Sequence, residues 1–260
     1  MKAFIFTLLI SILFQWPLLA KAYDLQDFKK QAVGTYGHYD IVAYEERFLI
    51  FGKMKTYVIT YGITEFKLED GKLVESDRFC HAEHVSNLPI KSRVPDSFTR
   101  AIVPRTTPVV VTAGSVDFAI FRPSTPTAIG IQLNPEEELP LDPKDPRIID
   151  SDDDGKPGVT VYIEAGPPVN NAELYIARRE IFAYQMEKDN AGGFKGYVID
   201  NSEQLIVGSN TILLRGQRNP KQHENPNLSP IYLVPVAADT DCESLMEMRE
   251  ELFPPNPEIW

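Results

Sequence analysis

The stretch "TYVITYGITEFKLEDGKLV", residues 56–74, decides the fold of this chain. Apolar and aromatic residues recur at every second position from Tyr57 to Ile63, which places them on one face of a β-strand. Asp70 and Gly71 then form the pair that a two-residue hairpin turn prefers, because both central positions need a positive φ. The pattern predicts a β-hairpin whose second strand ends near Val85.

The rest of the chain also has a strand-like composition. Further runs rich in Val, Ile, Tyr and Phe are separated by clusters of Pro, Gly, Asn and Asp, a spacing typical of sandwiches and barrels. Helical patterns of ten residues or more do not alternate with these runs, which disfavours a parallel α/β sheet. We therefore expect an all-β fold, an antiparallel barrel or sandwich.

A short helix is predicted near the C-terminus, at about residues 241–252. In "ADTDCESLMEMREELFPP", Thr240 precedes Glu243 by three residues, the spacing of a capping box. Pro254 ends the element because proline cannot continue a helix.

Two cysteines occur, Cys80 and Cys242. If the chain is exported, a disulfide between them is favoured over two free thiols, because oxidising compartments preserve such bonds. The bond would join the C-terminal helix to the hairpin.

Residues 1–22, "MKAFIFTLLISILFQWPLLAKA", have the basic start, apolar run and small-residue end of a signal peptide, with cleavage near Ala22. Gln15 and Pro17 interrupt the run, which argues against the alternative of a membrane anchor. We expect an exported protein, in the periplasm or outside the cell, with no transmembrane segment in the mature chain.

The net charge is -11. Removing residues 1–22 takes away two lysines and no acid, so the mature charge is -11 - 2 = -13. An acidic surface repels phosphate groups, which argues against nucleic acid and anionic membranes as partners. The partner that remains is an unidentified ligand or protein.

An acidic segment at about residues 134–158 breaks the strand-rich pattern. It can be a linker between two domains or a long loop within one. Because the expected disulfide joins the two halves, we expect a single β domain over residues 23–260 that contains this loop.

Asp150, Asp152 and Asp154 alternate in this segment and are followed by Gly155. In calcium loops of the EF-hand type, positions 1, 3 and 5 supply carboxylates, glycine follows, and position 7 supplies a carbonyl, which is that of Lys156 here. Position 12 is Val161 instead of the usual Glu, so the site must be completed by another carboxylate, from Asp142, Asp145, Glu164 or elsewhere, or by water. The pattern predicts a Ca²⁺ site; the alternative is a solvated acidic turn.

This acidic loop resembles the calcium loops of thrombospondin type 3 repeats. The run "DDDGKPGVT", residues 152–160, also resembles a D-x-D-G-K-P-G-V-T segment of uncharacterised exported bacterial β-rich proteins, in which a late cysteine, here Cys242, precedes an acidic helix. This second resemblance implies a similar fold and no assigned activity.

Other candidate chemistry is sparse. In "CHAEH", strand alternation would turn His81 and Glu83 one way and Cys80 and His84 the other, so three metal ligands would not converge. His38 and His223 are expected to be surface or turn residues. The usual nucleophile and phosphate-loop motifs do not occur.

The sequence thus predicts an exported, non-catalytic β protein with a calcium-binding loop and a binding or structural role. Two alternatives remain. One is a lipocalin-like carrier of a small molecule, since aromatic residues between Tyr36 and Phe79 could line a cavity. The other is a secreted hydrolase assisted by a metal at the acidic loop.

Overall fold

The computed structural model describes residues 25–48, 52–114, 118–167, 169–218 and 220–260. The predicted signal peptide, residues 1–22, lies outside this part of the chain. Within it, all pairings between named strands are antiparallel and all strands belong to one sheet. The prediction of an antiparallel all-β fold is confirmed.

The sheet has fourteen strands. Their bounds are β1 Gly34–Phe48, β2 Gly52–Glu69, β3 Lys72–Ser86, β4 Lys91–Arg93, β5 Thr106–Pro108, β6 Val110–Ala113, β7 Phe118–Arg122, β8 Thr127–Ile129, β9 Val159–Glu164, β10 Ala172–Glu180, β11 Phe182–Lys188, β12 Phe194–Asp200, β13 Glu203–Ser209 and β14 Pro230–Pro235.

The strand order is β13-β10-β9-β4-β3-β2-β1-β14-β12-β11-β7-β6, with β5 beside β3 and β8 beside β10. The terminal strands of this order, β13 and β6, do not pair with each other. The sheet is curled but not closed, and it forms a half-barrel. Strands from before and after the acidic segment lie in interleaved groups in this order, and two such groups meet where β4 pairs with β9.

The hairpin formed by β2 and β3 follows the sequence prediction closely. Asp70 and Gly71 both have positive φ, 49° and 74°, as the predicted turn requires. Tyr57, Ile59 and their period-two partners are buried on the outer face of the sheet, together with Tyr39 of β1. The opposite faces of the same strands line the inside of the half-barrel.

Three helices accompany the sheet: α1 at residues 25–32, α2 Asp96–Ala101 and α3 Cys242–Leu252. Short 3₁₀ turns lie at Ile212–Leu214 and Pro226–Leu228. No described helix has the length and apolar character needed to cross a membrane.

Helix α3 confirms the predicted C-terminal helix, but its cap differs. The N-cap is Asp241, whose Oδ1 accepts a hydrogen bond from the Ser244 N–H at 2.9 Å. An ionised carboxylate is a stronger acceptor than a hydroxyl and interacts favourably with the helix N-terminus. Leu245 is fully buried against the outer face of the sheet, so this residue anchors the helix.

Cys80 and Cys242 form a disulfide, as the sequence predicted, with 5.3 Å between their Cα atoms. Cys80 is the extra residue of a β-bulge, because Gly62 pairs with Phe79 and Tyr61 pairs with His81. The bulge turns the Cys80 side chain to the outer face, where it reaches α3.

The acidic segment packs along the outer face of β10 and β13. Leu139 and Ile148 of this segment pack against a buried cluster that contains Ala177 and Leu205, together with Ile131, which precedes the segment. Because Ile176 and Ile206, the next residues along the two strands, point into the half-barrel, the acidic segment and the inner space lie on opposite sides of the sheet.

Candidate functional site

The half-barrel encloses a cavity of about 850 Å³ on its inner face. Strands from both ends of the sheet order line it, for example β13 through Ile206 and β7 through Arg122. Helix α2 covers part of it with Phe98. Cavities of roughly 300–1,000 Å³ are the size that small-molecule sites use.

Most of the cavity wall is apolar. The side chains that form it come from alternate positions of β1, β2, β9, β10 and β13, from α2 and from the residue after it, and they include Val42, Met54, Val58, Phe98, Ile102, Val161, Ile163, Leu174, Ile176 and Ile206. Such a surface favours an apolar ligand body, because contact removes hydrocarbon from water on both sides.

The rim of the cavity is exposed. Val103 and Leu213 line it with 66% and 55% of their surface exposed, and Arg105 and Arg218 also reach it. The lining residues classed as exposed include these two arginines and no acid.

One end of the cavity is polar and is organised around His38. Nε2 of His38 lies 2.9 Å from Oδ2 of Asp40, and Nδ1 lies 2.8 Å from Oγ1 of Thr64 and 3.6 Å from Oδ1 of Asp77. Thr64 donates in turn to Asp77. All four residues are buried, while Asp40 and Asp77 also line the cavity. We refer to these four residues as the His38 network.

The His38 network holds a buried positive charge. Burial alone would lower the pKa of His38, but its hydrogen bonds to Asp40 and Asp77 and their negative charges raise that pKa to about 10. Burial likewise opposes ionisation of Asp77, yet His38 and Arg122 hold its pKa well below the ordinary value. The pKa of Asp40 is raised, mainly by burial. An imidazolium therefore lies between two carboxyl groups.

Arg122 and Glu75 form a second buried pair, next to Asp77. Arg122 donates through Nε to Oε1 of Glu75 at 3.3 Å, and Tyr184 contacts the other oxygen of the same carboxyl group. Burial and the charge of Asp77 raise the pKa of Glu75 well above its ordinary value. Burial therefore favours the neutral form of Glu75, and the guanidinium group of Arg122 also lies 3.9 Å from Asp77.

Arg178 organises the remainder of the polar end. It contacts Oε1 of Glu180 at 2.6 Å and lies 3.9 Å from Oδ2 of Asp200. Tyr44 donates to the same oxygen of Asp200, and Ser202 contacts both carboxylates. The charge of Asp200 also contributes to the raised pKa of Asp40, so this group and the His38 network interact electrostatically.

His84 lines the cavity as a neutral side chain. Burial, together with the positive charge of Arg178, lowers its pKa to about 4. Its Nδ1 lies 2.6 Å from the hydroxyl of Ser92.

The acidic loop is ordered by its own aspartates. The N–H groups of Asp154 and Gly155 donate to the two carboxylate oxygens of Asp150 at 3.2 and 2.7 Å. Asp152 accepts from the Thr160 N–H at 3.0 Å, and its Oδ1 is buried without a hydrogen-bond partner. Asp153 and Gly155 have positive φ, 58° and 83°, which gives the sharp turn.

The three predicted aspartates come together. One carboxylate oxygen each of Asp150, Asp152 and Asp154 lies within 4.8 Å of the others, and within the described ranges this is the group of acids and histidines that could hold a metal ion. Each carboxylate oxygen has two lone pairs, so its N–H contact does not prevent metal binding. Burial and the charges of the other two aspartates raise the pKa of Asp152, and a cation would relieve that repulsion.

Lys156, whose carbonyl was the fourth predicted ligand, places its side chain elsewhere. Its Nζ pairs with Glu173 at 2.8 Å and lies 3.9 Å from Asp154. The ammonium therefore already neutralises part of the charge of the cluster. The role of the Lys156 carbonyl stays a prediction.

The residues of "CHAEH" are divided between the two faces of the sheet. His81 pairs with Asp96 at 2.8 Å and Glu83 with Asn256 at 3.1 Å, whereas His84 lines the cavity. The expectation that Cys80 and His84 share a face is wrong, because the bulge at Cys80 interrupts the alternation. Neither His81 nor Glu83 lines the cavity, and none of the three aspartates does.

Sequence reasoning missed the polar end of the cavity. The expectation that His38 is a surface or turn residue is wrong, since it is fully buried. A pattern was available: His38 with Asp40 on β1, and Glu75 with Asp77 on β3, are ionisable pairs two residues apart. On a strand such pairs share a face, and here that face is the inner one.

Comparisons with protein-family models, curated proteins and solved structures found no match to this chain. Function must therefore be argued from the site itself.

Proposed function

We propose that this protein is an exported binding protein whose half-barrel takes up a small amphipathic molecule. The observation that supports it most directly is the cavity, with a long apolar wall and buried ionisable groups at one end. Pockets with mainly apolar walls and a few converging polar groups are the usual form of small-molecule sites. Of the roles that the sequence left open, this is closest to the small-molecule carrier.

A cavity-filling substitution tests the proposal. Val58 lines the cavity from β2, whereas Val110 on β6 is 49% exposed and lies outside it. The purified mature protein is titrated with the fluorescent apolar probe N-phenyl-1-naphthylamine. We expect saturable binding that Val58→Phe weakens about tenfold or more and that Val110→Phe leaves unchanged, since a lost buried contact of about 1.4 kcal/mol is a tenfold change. Absence of saturable binding to the wild type contradicts the proposal.

We further propose that the acidic loop binds Ca²⁺ as a structural ion. Its support is the convergence of Asp150, Asp152 and Asp154 together with the partnerless Oδ1 of Asp152. Hard carboxylate oxygens around a glycine-containing turn suit Ca²⁺, whereas Mg²⁺ prefers fewer protein ligands. The ion would order the loop and would have no part in the cavity, which lies across the sheet.

Thermal unfolding in EDTA and in millimolar Ca²⁺ tests the calcium site. Calcium at about a hundredfold excess over its dissociation constant adds about 2.7 kcal/mol, which should raise the midpoint by roughly 5–10 °C. The double variant Asp152→Ala, Asp154→Ala should lose this shift. Removal of the exposed Glu136 and Glu138, which takes two charges from the same segment, should keep it. If the wild type does not shift, the loop is a solvated turn.

Export remains part of the proposal. The disulfide supports it, because such bonds persist in oxidising compartments. Expression in a bacterial host should give a chain that begins at Tyr23 in the periplasm or medium; a chain that keeps residues 1–22 would contradict it. Relation to the exported bacterial proteins with the same mid-chain run is likewise a proposal.

A cleft that held His81 and Glu83 beside the acidic loop would favour the metal-assisted hydrolase. Neither residue lines the cavity, and the three aspartates do not line it either.

A further inference from the structure

Several residues that line the cavity have a buried oxygen without a hydrogen-bond partner. Among the described residues, seven buried side-chain atoms lack a partner, and four belong to residues that line the cavity. All four are oxygens: Oδ1 of Asp40, Oγ1 of Thr56, Oδ2 of Asp77 and Oγ1 of Thr125. Buried polar atoms are nearly always paired. The threonine hydroxyls can donate or accept, whereas an ionised carboxylate only accepts, so the two aspartate oxygens point to a ligand that donates hydrogen bonds.

The carboxyl groups of Asp40 and Asp77 are arranged in the same way. Each uses one oxygen within the His38 network, Oδ2 for Asp40 and Oδ1 for Asp77, and leaves its second oxygen without a hydrogen bond. Arg122 is 3.9 Å from the second oxygen of Asp77, too far for a hydrogen bond. Asp40 and Asp77 are only 1% and 7% exposed, so bulk water does not solvate them freely.

His38 links these two groups, which lie on strands either side of β2. Asp40 on β1 pairs with Thr60 on β2, and Asp77 on β3 pairs with Thr64. His38 lies between them and contacts both carboxyl groups. The two acceptors therefore lie within three adjacent strands. Their site is preorganised, because few side chains must be ordered when a ligand binds.

The charges at this end favour a cation. Leaving aside Glu75, whose pKa burial raises well above its ordinary value, four acidic side chains accompany three basic ones at this end. The acidic side chains are Asp40, Asp77, Glu180 and Asp200, and the basic ones are His38, Arg122 and Arg178. An excess negative charge away from water is unfavourable unless it is paired, and a cationic donor would supply both the charge and the hydrogen bonds.

We propose that the ligand is an amphiphile with a protonated amine, whose ammonium group binds the second oxygens of Asp40 and Asp77 while its hydrocarbon body lies along Val58 and Ile176. This inference rests on the proposed ligand-binding function. It fixes the orientation of the ligand, with the polar group inside and the hydrocarbon toward the rim.

Three probes with the same twelve-carbon chain test the inference: dodecylamine, dodecanol and laurate. Calorimetric titration of the wild-type mature protein, below micelle-forming concentrations, should show dodecylamine binding about tenfold or more tighter than dodecanol, because a charge-assisted buried hydrogen bond is stronger than a neutral one. Laurate should bind weakest. Tighter binding of laurate would place an anionic group at Arg105 and Arg218 on the rim and would overturn the inference.

The variant Asp40→Asn tests whether Asp40 causes the preference for dodecylamine over dodecanol. An asparagine can still accept the hydrogen bond from His38, but it carries no charge, so dodecylamine should lose about tenfold in affinity while dodecanol is unchanged. The control Glu164→Gln removes an exposed charge that does not line the cavity and should alter neither. Circular dichroism checks that each variant is folded, and the wild-type comparison stands without them.

The outcomes distinguish the proposed ligand-binding function from the assignment of an amine ligand. If dodecanol and dodecylamine bind equally well, the cavity binds ligands but the amine assignment is wrong. If none of the three probes binds, the proposed ligand-binding function fails together with it.

Discussion

The buried charge of His38 should make the protein less stable as the pH rises above neutrality. The pKa of His38 is raised from 6.5 to about 10 in the folded chain. Above pH 6.5 the unfolded chain releases this proton and the folded chain keeps it, so folding is increasingly opposed as the pH rises. The stabilisation is complete below pH 6.5 and is lost as the pH approaches 10. The expected loss is about 2 kcal/mol between pH 6.5 and about 8.5.

Guanidinium unfolding at several pH values between these limits measures this loss. The informative variant is the double substitution His38→Gln, Asp40→Asn. Replacing His38 alone would leave Asp40 buried without its cation, and Asp40 would then bind the proton instead and preserve the slope. In the double variant, the loss of unfolding free energy over the same pH interval should be smaller by about 2 kcal/mol. Glu75, whose raised pKa acts in the same direction, is present in both proteins.

His223→Gln serves as the control. His223 lies in a loop, where its Nδ1 accepts a hydrogen bond from the Asn225 N–H, so its replacement should keep the wild-type slope. His84 does not interfere, because its lowered pKa affects stability only below pH 6.5. A wild-type free energy of unfolding that does not fall over this interval, or a double variant with the wild-type slope, would refute the assignment of an imidazolium to His38.

Two further predictions concern the frame around the cavity. Replacing Cys80 and Cys242 by serine opens a link across 162 residues, and the free energy of unfolding should fall by up to about 5 kcal/mol in guanidinium titrations, since the cross-link restricts the unfolded chain; an unchanged value would show that α3 packing alone suffices. Gly155→Ala and Gly158→Ala both place a side chain at positive φ, 83° and 85°, but only at Gly158 would the new Cβ meet a main-chain oxygen, that of Ile176, at 2.3 Å. Gly155→Ala should cost about 1–2 kcal/mol and Gly158→Ala at least about 2 kcal/mol more, and equal midpoints for the two variants would contradict this.

The features that the sequence predicted correctly depend on near neighbours in the chain. The turn at Asp70 and Gly71 follows from the backbone freedom of those residues, and the outer face of β2 follows from the two-residue period. The C-terminal helix was found from its end signals, although its cap moved to Asp241, because neighbouring Thr240 and Asp241 both offer acceptors. The aspartates of the acidic loop converge for the same reason, since all three belong to one turn.

The features that the sequence did not predict depend on distant segments. The bulge at Cys80 is a property of the pairing between β2 and β3, and it reversed the expected face of that side chain. The polar end of the cavity needs Asp40, Asp77 and Arg122, which belong to β1, β3 and β7. A one-residue change of register would turn each of these groups to the other face, so no local pattern can place them together.

The sequence by itself thus determined the antiparallel strands, the hairpin, the terminal helix, the cysteine pair and the acidic turn, because each is set by backbone preference or by the count of two cysteines. Only the tertiary structure decided that the sheet curls into a half-barrel, that His38 is buried between two carboxyl groups, and that a cavity separates this cluster from the rim. The physical reason is that a buried charge is stable only beside its partners, and strand order and register bring those partners together.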